Sequence, residues 1–455
     1  MGIARSRSAL ARLGDSFEGL LPHIGVLLSA NVIIVIVGLA TLSITTHAIG
    51  AVGIGLLAVI EAYPRTLDQV LRFEPSQAVI RYGNRARVAG DDEAFRRLIK
   101  FGTVMDVLGA AVAALLALAA LDLASQWFDF SDAERHMMML FVFAMFTFVS
   151  ATSISVLRLT SRFDLYAHVL VGVAVLRLLV SAALWYVGAG IEAFFYLLLF
   201  TAIAEHLVMF CVAWFILRRE VPGPILSLPL KGILRENPKI LSFIFNSNMN
   251  VIARNSTRRF DIFILGGVVG YADIGLYQIA KRVGLAATRL SRPMQFVVFP
   301  ALSQFWERGE GMKIVKLVLR FSSVFAIIAV ILFPLFAIWG EQFITVAFGE
   351  EFIAALPLVL LQIVAASLFM TGGILNSALL SIGRDGALLG VTFTASLLFF
   401  ALLIPAVSLY GIVAASWLHV LVNLVWCGGC VYFFAKAVNL HMKPKIPDDV
   451  EDLSL

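Results

Sequence analysis

The chain has 455 residues, of which 60% are hydrophobic and only 14% charged, and its formal net charge is +5. Its mean hydropathy is +0.92, so most of its length suits a bilayer rather than water. This excludes a soluble enzyme domain of any size, and it excludes a nucleic-acid footprint, because the basic residues are spread along the chain between apolar runs.

A membrane-spanning helix needs about 20 mostly apolar residues. In chain order the runs predict twelve such helices, at 23–47, 54–81, 101–121, 137–157, 165–187, 192–217, 240–265, 271–300, 314–339, 354–381, 386–408 and 410–434. They are far too long for barrel strands, and only helices or closed barrels satisfy the backbone in lipid. The connections at 82–100 and 218–239 are too short for a folded domain. The first run is too long for a cleaved signal and is expected to stay as a helix.

The basic N-terminal residues Arg5, Arg7 and Arg12, the connections after even-numbered helices and the C-terminal segment collect the loop Lys and Arg. The opposite loops hold one basic residue, Arg135, and carry Asp129, Asp132, Glu134, Glu341, Glu350 and Glu351. That asymmetry predicts both termini on the cytoplasmic side. The stretch after Lys436 ends in Asp448, Asp449, Glu451 and Asp452 and reads as a short solvated tail.

The sequence also repeats itself. Ile49-Gly-Ala-Val-Gly-Ile-Gly-Leu56 returns as Val269-Gly-Tyr-Ala-Asp-Ile-Gly-Leu276 after a shift of 220 residues. The same shift aligns Gly50 with Gly270, Gly55 with Gly275, Arg72 with Arg292, and Glu61 with Lys281. Six helices per half with the same inward start predict parallel repeats related by an axis along the membrane normal. The expected layout is a lobe at 1–217, a cytoplasmic linker at 218–239, a second lobe at 240–434 and a tail at 435–455. The linker carries Arg218, Arg219, Lys231, Arg235 and Lys239, punctuated by Pro222, Pro224, Pro229 and Pro238.

Charged residues line up inside three of the apolar runs. Glu61, Arg65, Asp68 and Arg72 share one face, as do Asn250, Arg254, Arg258 and Asp261. Lys281, Thr288 and Arg292 share another, with Arg282 and Arg289 on an adjacent face. Ionised groups at bilayer depth are costly and normally face a water-filled cavity or a partner charge. Three such stripes predict helices around a polar, net-cationic cavity suited to a hydrophilic or anionic solute. Arg72 with Asp68, or Arg258 with Asp261, read equally as structural ion pairs between packed helices. Arg177 stands alone in its run and reads either way.

Several chemistries have no support. No Gly-Lys dipeptide occurs, so there is no Walker A loop. Cys211, Cys427 and Cys430 lie in apolar runs, and Cys427-Gly-Gly-Cys430 lacks a second pair or a nearby His, so these thiols read as small packing residues. His residues are few and scattered, with no metal-ligand cluster and no catalytic constellation. An ion gradient is the remaining internal energy source, at about 2.3 kcal/mol per charge across 100 mV. Its candidate carriers are Glu61, Asp68, Glu205 and Asp261, with His206 beside Glu205; Asp106 and Asp164, nearer the inner ends, are weaker ones.

Arg259-Phe-Asp261, Ile264-Leu-Gly-Gly267, Gly270, Gly275-Leu-Tyr277, Ala280, Arg282 and Phe299-Pro-Ala-Leu-Ser303 together resemble the helix 7–8 signature of the bacterial polysaccharide transporter family. These are O-antigen and exopolysaccharide flippases of the multidrug/oligosaccharidyl-lipid/polysaccharide exporter superfamily. The Gly50–Gly55 segment, Arg81-Tyr82-Gly83 and Tyr410-Gly-Ile-Val-Ala-Ala415 resemble matching parts of that family. The resemblance implies an all-α integral membrane protein of about twelve helices, in two six-helix lobes related by pseudo-two-fold symmetry and V-shaped around a central cavity.

It implies a non-enzymatic flippase that moves a polyprenyl-pyrophosphate-linked oligosaccharide across the inner membrane by alternating access, with no cofactor beyond coupling H+ or Na+. Arg offers a planar bidentate fork for pyrophosphate oxygens. The candidate substrate residues are Arg65, Arg72, Asn250, Arg254, Arg258, Lys281 and Arg292, with Asn246, Ser247 and Asn248 nearby for sugar hydroxyls. Expected partners are the lipid-linked glycan, membrane lipids, a polysaccharide polymerase and chain-length proteins, with no nucleic acid. The alternatives are a small-molecule antiporter of the multidrug type, which the many cations disfavour for cationic drugs, and a non-transporting scaffold of a polysaccharide synthase.

Overall fold

In a computed structural model, the backbone is described for residues 2–442. Side chains are described except at 1–24, 26–28, 250, 253–255, 290–297, 299–301, 303–304, 307 and 439–455. The candidates Asn250, Arg254 and Arg292, the basic residues Arg5, Arg7 and Arg12, and the terminal acidic run therefore lie outside the described side chains.

The described chain is helical throughout, with no strand. In order, the helices are α1 (Gly2–Leu71), α2 (Ser76–Val88), α3 (Asp92–Ala119), α4 (Leu121–Trp127), α5 (Asp132–Ala144), α6 (Ala151–Leu159), α7 (Phe163–Tyr186) and α8 (Ile191–Glu220). The second part comprises α9 (Ile233–Glu236), α10 (Ile240–Arg259), α11 (Asp261–Leu265), α12 (Tyr271–Glu307), α13 (Gly311–Phe348), α14 (Leu356–Ser381), α15 (Asp385–Tyr410) and α16 (Val413–Met442). Among the described residues, 9 helices are long and apolar enough to cross a membrane by length and composition.

Each of the twelve predicted runs falls on helix, and the difference from nine has two physical causes. The stretch Ser29–Leu71 counts once although it holds two predicted runs; its backbone turns at Gly50, whose φ of 65° is left-handed. The segments 240–265 and 271–300 carry four and five charged residues, so apolarity alone does not select them.

Three boundaries differ from expectation. The run at 54–81 is interrupted at 72–75, where Pro75 cannot continue the ladder and instead precedes α2. The connection at 82–100 is mostly helix, belonging to α2 and α3. The run at 137–157 is broken at 148–150, between a 3-10 turn at Met145–Thr147 and α6.

The two sequence halves meet along α1 and α12. At their crossing, a Cβ on Gly55 would lie 1.8 Å from the Tyr271 carbonyl oxygen, and one on Gly275 would lie 2.1 Å from that of Ala51. These are the two glycines that the 220-residue shift aligns, so equivalent positions of the repeat pack backbone to backbone. Around the crossing, apolar side chains of both halves form one continuous core that includes Tyr63, Phe141, Phe195, Tyr277, Phe352 and Phe399. α12 also packs on α14, and α14 on α16.

A second apolar core joins α2, α3, α6 and α8 to residues 221–244. The expected linker is thus docked on α3. Arg96 donates to the Pro222 carbonyl. Arg97 donates to the carbonyls of Pro229 (3.2 Å) and Lys231 (3.1 Å) and pairs with Glu236 at 3.0 Å. Lys100 Nζ reaches the carbonyls of Leu226 and Leu228, each at 2.6 Å. Basic residues that the sequence marks only as inner-face charge are the clamps that hold this strap.

Candidate functional site

Among the described residues, three polar clusters lie inside the apolar mass, and the described members of the charged stripes are divided among them. The first sits between the halves. Glu61 and Arg65 on α1, one turn apart, pair at 2.6 Å. Arg282 of α12 and Arg177 of α7 lie within electrostatic reach of Glu61, and Glu205 of α8 within reach of Arg65 and Arg177. Arg177 is fixed by donating Nε (2.9 Å) and Nη2 (2.6 Å) to the buried Thr201 hydroxyl. Three guanidinium groups and two carboxylates from four helices of both halves thus converge. Arg65 is 44% exposed, so its fork remains available to a ligand. Sequence reading placed Arg282 on an adjacent face and left Arg177 open; only the packing of α7 and α12 against α1 brings them together.

The second cluster is within the first half. Arg72, 6% exposed, pairs with Asp68 at 3.0 Å and Glu74 at 3.2 Å. It also donates to the Phe148 carbonyl at the 148–150 break. Asp106 of α3 is fully buried and accepts the Thr152 N–H at 2.7 Å. His206 of α8 bonds Ser150 at 2.7 Å and stacks on Phe148. The sequence placed Arg72 on the cavity stripe or in a structural pair with Asp68; here it pairs with Asp68 and serves a helix end.

The third cluster is within the second half. Asp261 is fully buried, and three hydrogen-bond donors and the His419 ring meet its two oxygens. Lys281 Nζ (2.6 Å) and the Ile262 N–H (2.8 Å) reach Oδ1. Tyr277 (2.6 Å) and His419 Nε2 (3.3 Å) reach Oδ2. Tyr277 and His419 also contact each other at 2.9 Å. Tyr277 stands in the quoted signature, but nothing local in the sequence marks its meeting with His419, 142 positions away. Beside them Arg258 stacks on the Phe369 ring, 3.2 Å from its centre. Arg258, Lys281, Thr288, Gln362, His419 and Asn423 line a cavity of about 20 Å³, room for one water.

Asn248 is not free for a sugar hydroxyl. Its amide oxygen accepts the Glu74 N–H and its nitrogen donates to the Glu74 carbonyl, both at 3.0 Å. Phe245 stacks on Phe73 beside it. Asn246 is exposed. The inner end of α10 is thereby fastened to the 72–75 interruption. No group of three or more His, Cys, Asp or Glu suited to a metal occurs among the described residues.

A family model described as a polysaccharide biosynthesis protein matches residues 90–357. The inner membrane protein YghQ of Escherichia coli K12 is 25% identical over 256 residues, 55% of this chain and 71% of its own length. Among solved structures, an inward-facing multidrug resistance MATE family transporter of the MOP superfamily superposes with a TM-score of 0.66. It is 13% identical, over 92% of this chain and 96% of that one. The lipid II flippase MurJ in an inward closed conformation gives 0.67, with 11% identity over 89% and 88%. The fold is therefore that of these multi-pass transporters.

Proposed function

The chain belongs to the polysaccharide biosynthesis protein family, and from that premise we propose that it is an inner-membrane flippase for a polyprenyl-pyrophosphate-linked oligosaccharide. The polar head of the lipid crosses between the halves while the polyprenyl tail remains in lipid. One observation carries this reading: the convergence of Arg65, Arg177 and Arg282 with Glu61 and Glu205 at the contact of the two halves. That cluster has a surplus of one positive charge and offers bidentate forks, which suits a pyrophosphate better than a cationic drug.

Alternating access is the working mechanism, with lobes at 1–217 and 240–434, both termini cytoplasmic, and the strap at 218–239 joining them. Each state needs one end of the half-to-half contact to part. The Gly55–Gly275 crossing and the Asn248–Glu74 bonds are the contacts that would alternate. Energy comes from an ion gradient through a carboxylate among Glu61, Asp68, Glu205 and Asp261. Of the remaining substrate candidates, Arg258 and Lys281 flank the second-half cavity, and Arg72 acts through the helix break. A polymerase and chain-length proteins would take the product on the far side.

The test is glycan export in cells whose own transporter has been deleted. Arg65→Ala should reduce export at least about tenfold with protein abundance unchanged, the loss of one charge-assisted bidentate contact, and Arg65→Lys should recover part of it. Normal export by Arg65→Ala would reject the cluster as the substrate site.

A further inference from the structure

The break at 148–150 is capped by an acid on α3 and a base just past the end of α1. Asp106 Oδ2 takes the N–H of Thr152 at the start of α6, and Arg72 donates to the carbonyl of Phe148 at the end of the preceding turn. Broken helices at membrane depth persist only where other groups satisfy their ends, and such breaks recur at coupling-ion sites of transporters. The capping here is incomplete in a specific way. Asp106 Oδ1, Asp68 Oδ1, Arg72 Nε and the Thr152 hydroxyl are buried with no hydrogen-bond partner, the Thr152 hydroxyl lying within reach of the Asp106 carboxylate.

The charge count gives the same result. Arg72 pairs with Asp68 and lies within electrostatic reach of Asp106, so these three groups together carry one net negative charge. Glu74 adds another from a side chain 47% exposed, where water screens it. His206 of α8 faces Ser150, and Arg65 and Arg259 lie within electrostatic reach of Asp68. A buried uncompensated charge is expensive, and one added positive charge removes it. A metal ion would have to sit against Arg72 and would find only two orphan carboxylate oxygens. A proton needs one oxygen and brings no new repulsion. Asp106 is the better acceptor, because Asp68 already touches Arg72 at 3.0 Å.

We propose that Asp68, Arg72 and Asp106 at this break form a proton-exchange site, with Asp106 as the group that takes up and releases the proton. An O–H bond forms at Asp106 Oδ1 with a proton from water, and the cluster becomes neutral, with Arg72 left to Asp68. On release the proton returns to water and the net negative charge returns. Since Arg72 also holds the Phe148 carbonyl, each change of charge alters the grip on the broken helix. This deepens the ion-coupled reading above and rests on it.

Infrared difference spectra of the purified full-length chain in lipid nanodiscs, between mildly acidic and mildly alkaline buffer, test the site without any glycan. Wild type should show a protonated-carboxyl band that Asp106→Asn abolishes. Asn keeps the acceptor for the Thr152 N–H, so the fold should survive. If that variant fails to fold, Asp68→Asn decides. With Asp68 neutral, Arg72 turns to Asp106 and favours its ionised form, so the band should titrate at lower pH than in wild type. A band that persists in Asp106→Asn, an unmoved midpoint in Asp68→Asn, or a band lost in Glu61→Gln alone would overturn the assignment. Transport without the band rejects the site alone; the band without transport rejects the flippase reading alone.

Discussion

Asp106 and Asp261 are both fully buried carboxylates in the halves of one repeat, yet their surroundings differ in kind. Asp261 has Lys281 against one oxygen, a backbone N–H beside it, and Tyr277 and His419 on the other oxygen. Asp106 has one N–H, the Thr152 hydroxyl within reach, and an oxygen with no hydrogen-bond partner. A saturated carboxylate gains nothing from a proton, whereas an unsaturated one in a cluster short of positive charge does. The comparison teaches that a charge at membrane depth is not by itself a coupling site; the occupancy of its lone pairs separates a lock from a switch. It shifts weight among the coupling candidates from Asp261 towards Asp68 and its neighbour.

The sharpest way to break this comparison is to disrupt the saturated cluster. Asp261→Ala strands the Lys281 ammonium in a dry site and should cost about 3–5 kcal/mol, read as loss of folded protein or a lowered melting temperature. Asp261→Ala combined with Lys281→Met should regain most of that stability. If Asp261→Ala melts like wild type, the second-half cluster is not a lock.

Next in size is the crossing that holds the halves together. Gly55→Ala or Gly275→Ala puts a Cβ into a facing carbonyl and should cost about 1–3 kcal/mol. Gly38→Ala, with nothing within 4 Å of its Cβ, should be neutral or stabilising by up to about 1 kcal/mol. Equal melting temperatures for all three variants would remove the crossing from the account. Smaller still is the fastening at the inner end. Asn248→Ala removes both bonds to the exposed Glu74 backbone, where water can replace them, and should cost about 0.5–1.5 kcal/mol. The exposed Asn246→Ala should stay within about 0.5 kcal/mol. If the Asn246 variant impairs export and the Asn248 variant does not, Asn246 is the cargo contact and the fastening is incidental.

The sequence made the runs of helix legible because lipid demands long apolar stretches, and the repeat legible because Gly55 and Gly275 must both be small where they touch. Pro75 carried a local signal for the interruption at 72–75. The break at 148–150 has no Gly or Pro and no local signal; Arg72 and Asp106 stabilise it from elements remote in sequence. The same reason hides Tyr277 and His419, and it hides the docking of 221–236, where Arg96, Arg97 and Lys100 capture main-chain carbonyls that no side-chain pattern encodes. Stripe periodicity finds which residues share a helix face but not which neighbour that face meets. Arg72, which reads either as a cavity residue or as the partner of Asp68, is in the buried pair, and Lys281 lines the small second-half cavity while held by Asp261.

In the mechanism proposed above, the cluster between the halves carries a pyrophosphate-linked glycan in exchange for protons. Proteoliposomes holding the purified chain and a defined polyprenyl-pyrophosphate oligosaccharide, with an imposed proton gradient, test it most directly. Translocation scored by accessibility of the sugar to an external glycosidase should follow the gradient in wild type. It should fall to the protein-free rate in Arg65→Ala and lose its gradient dependence in Asp106→Asn. Gradient-driven translocation at the wild-type rate in both variants, or none by the wild-type chain, would contradict it.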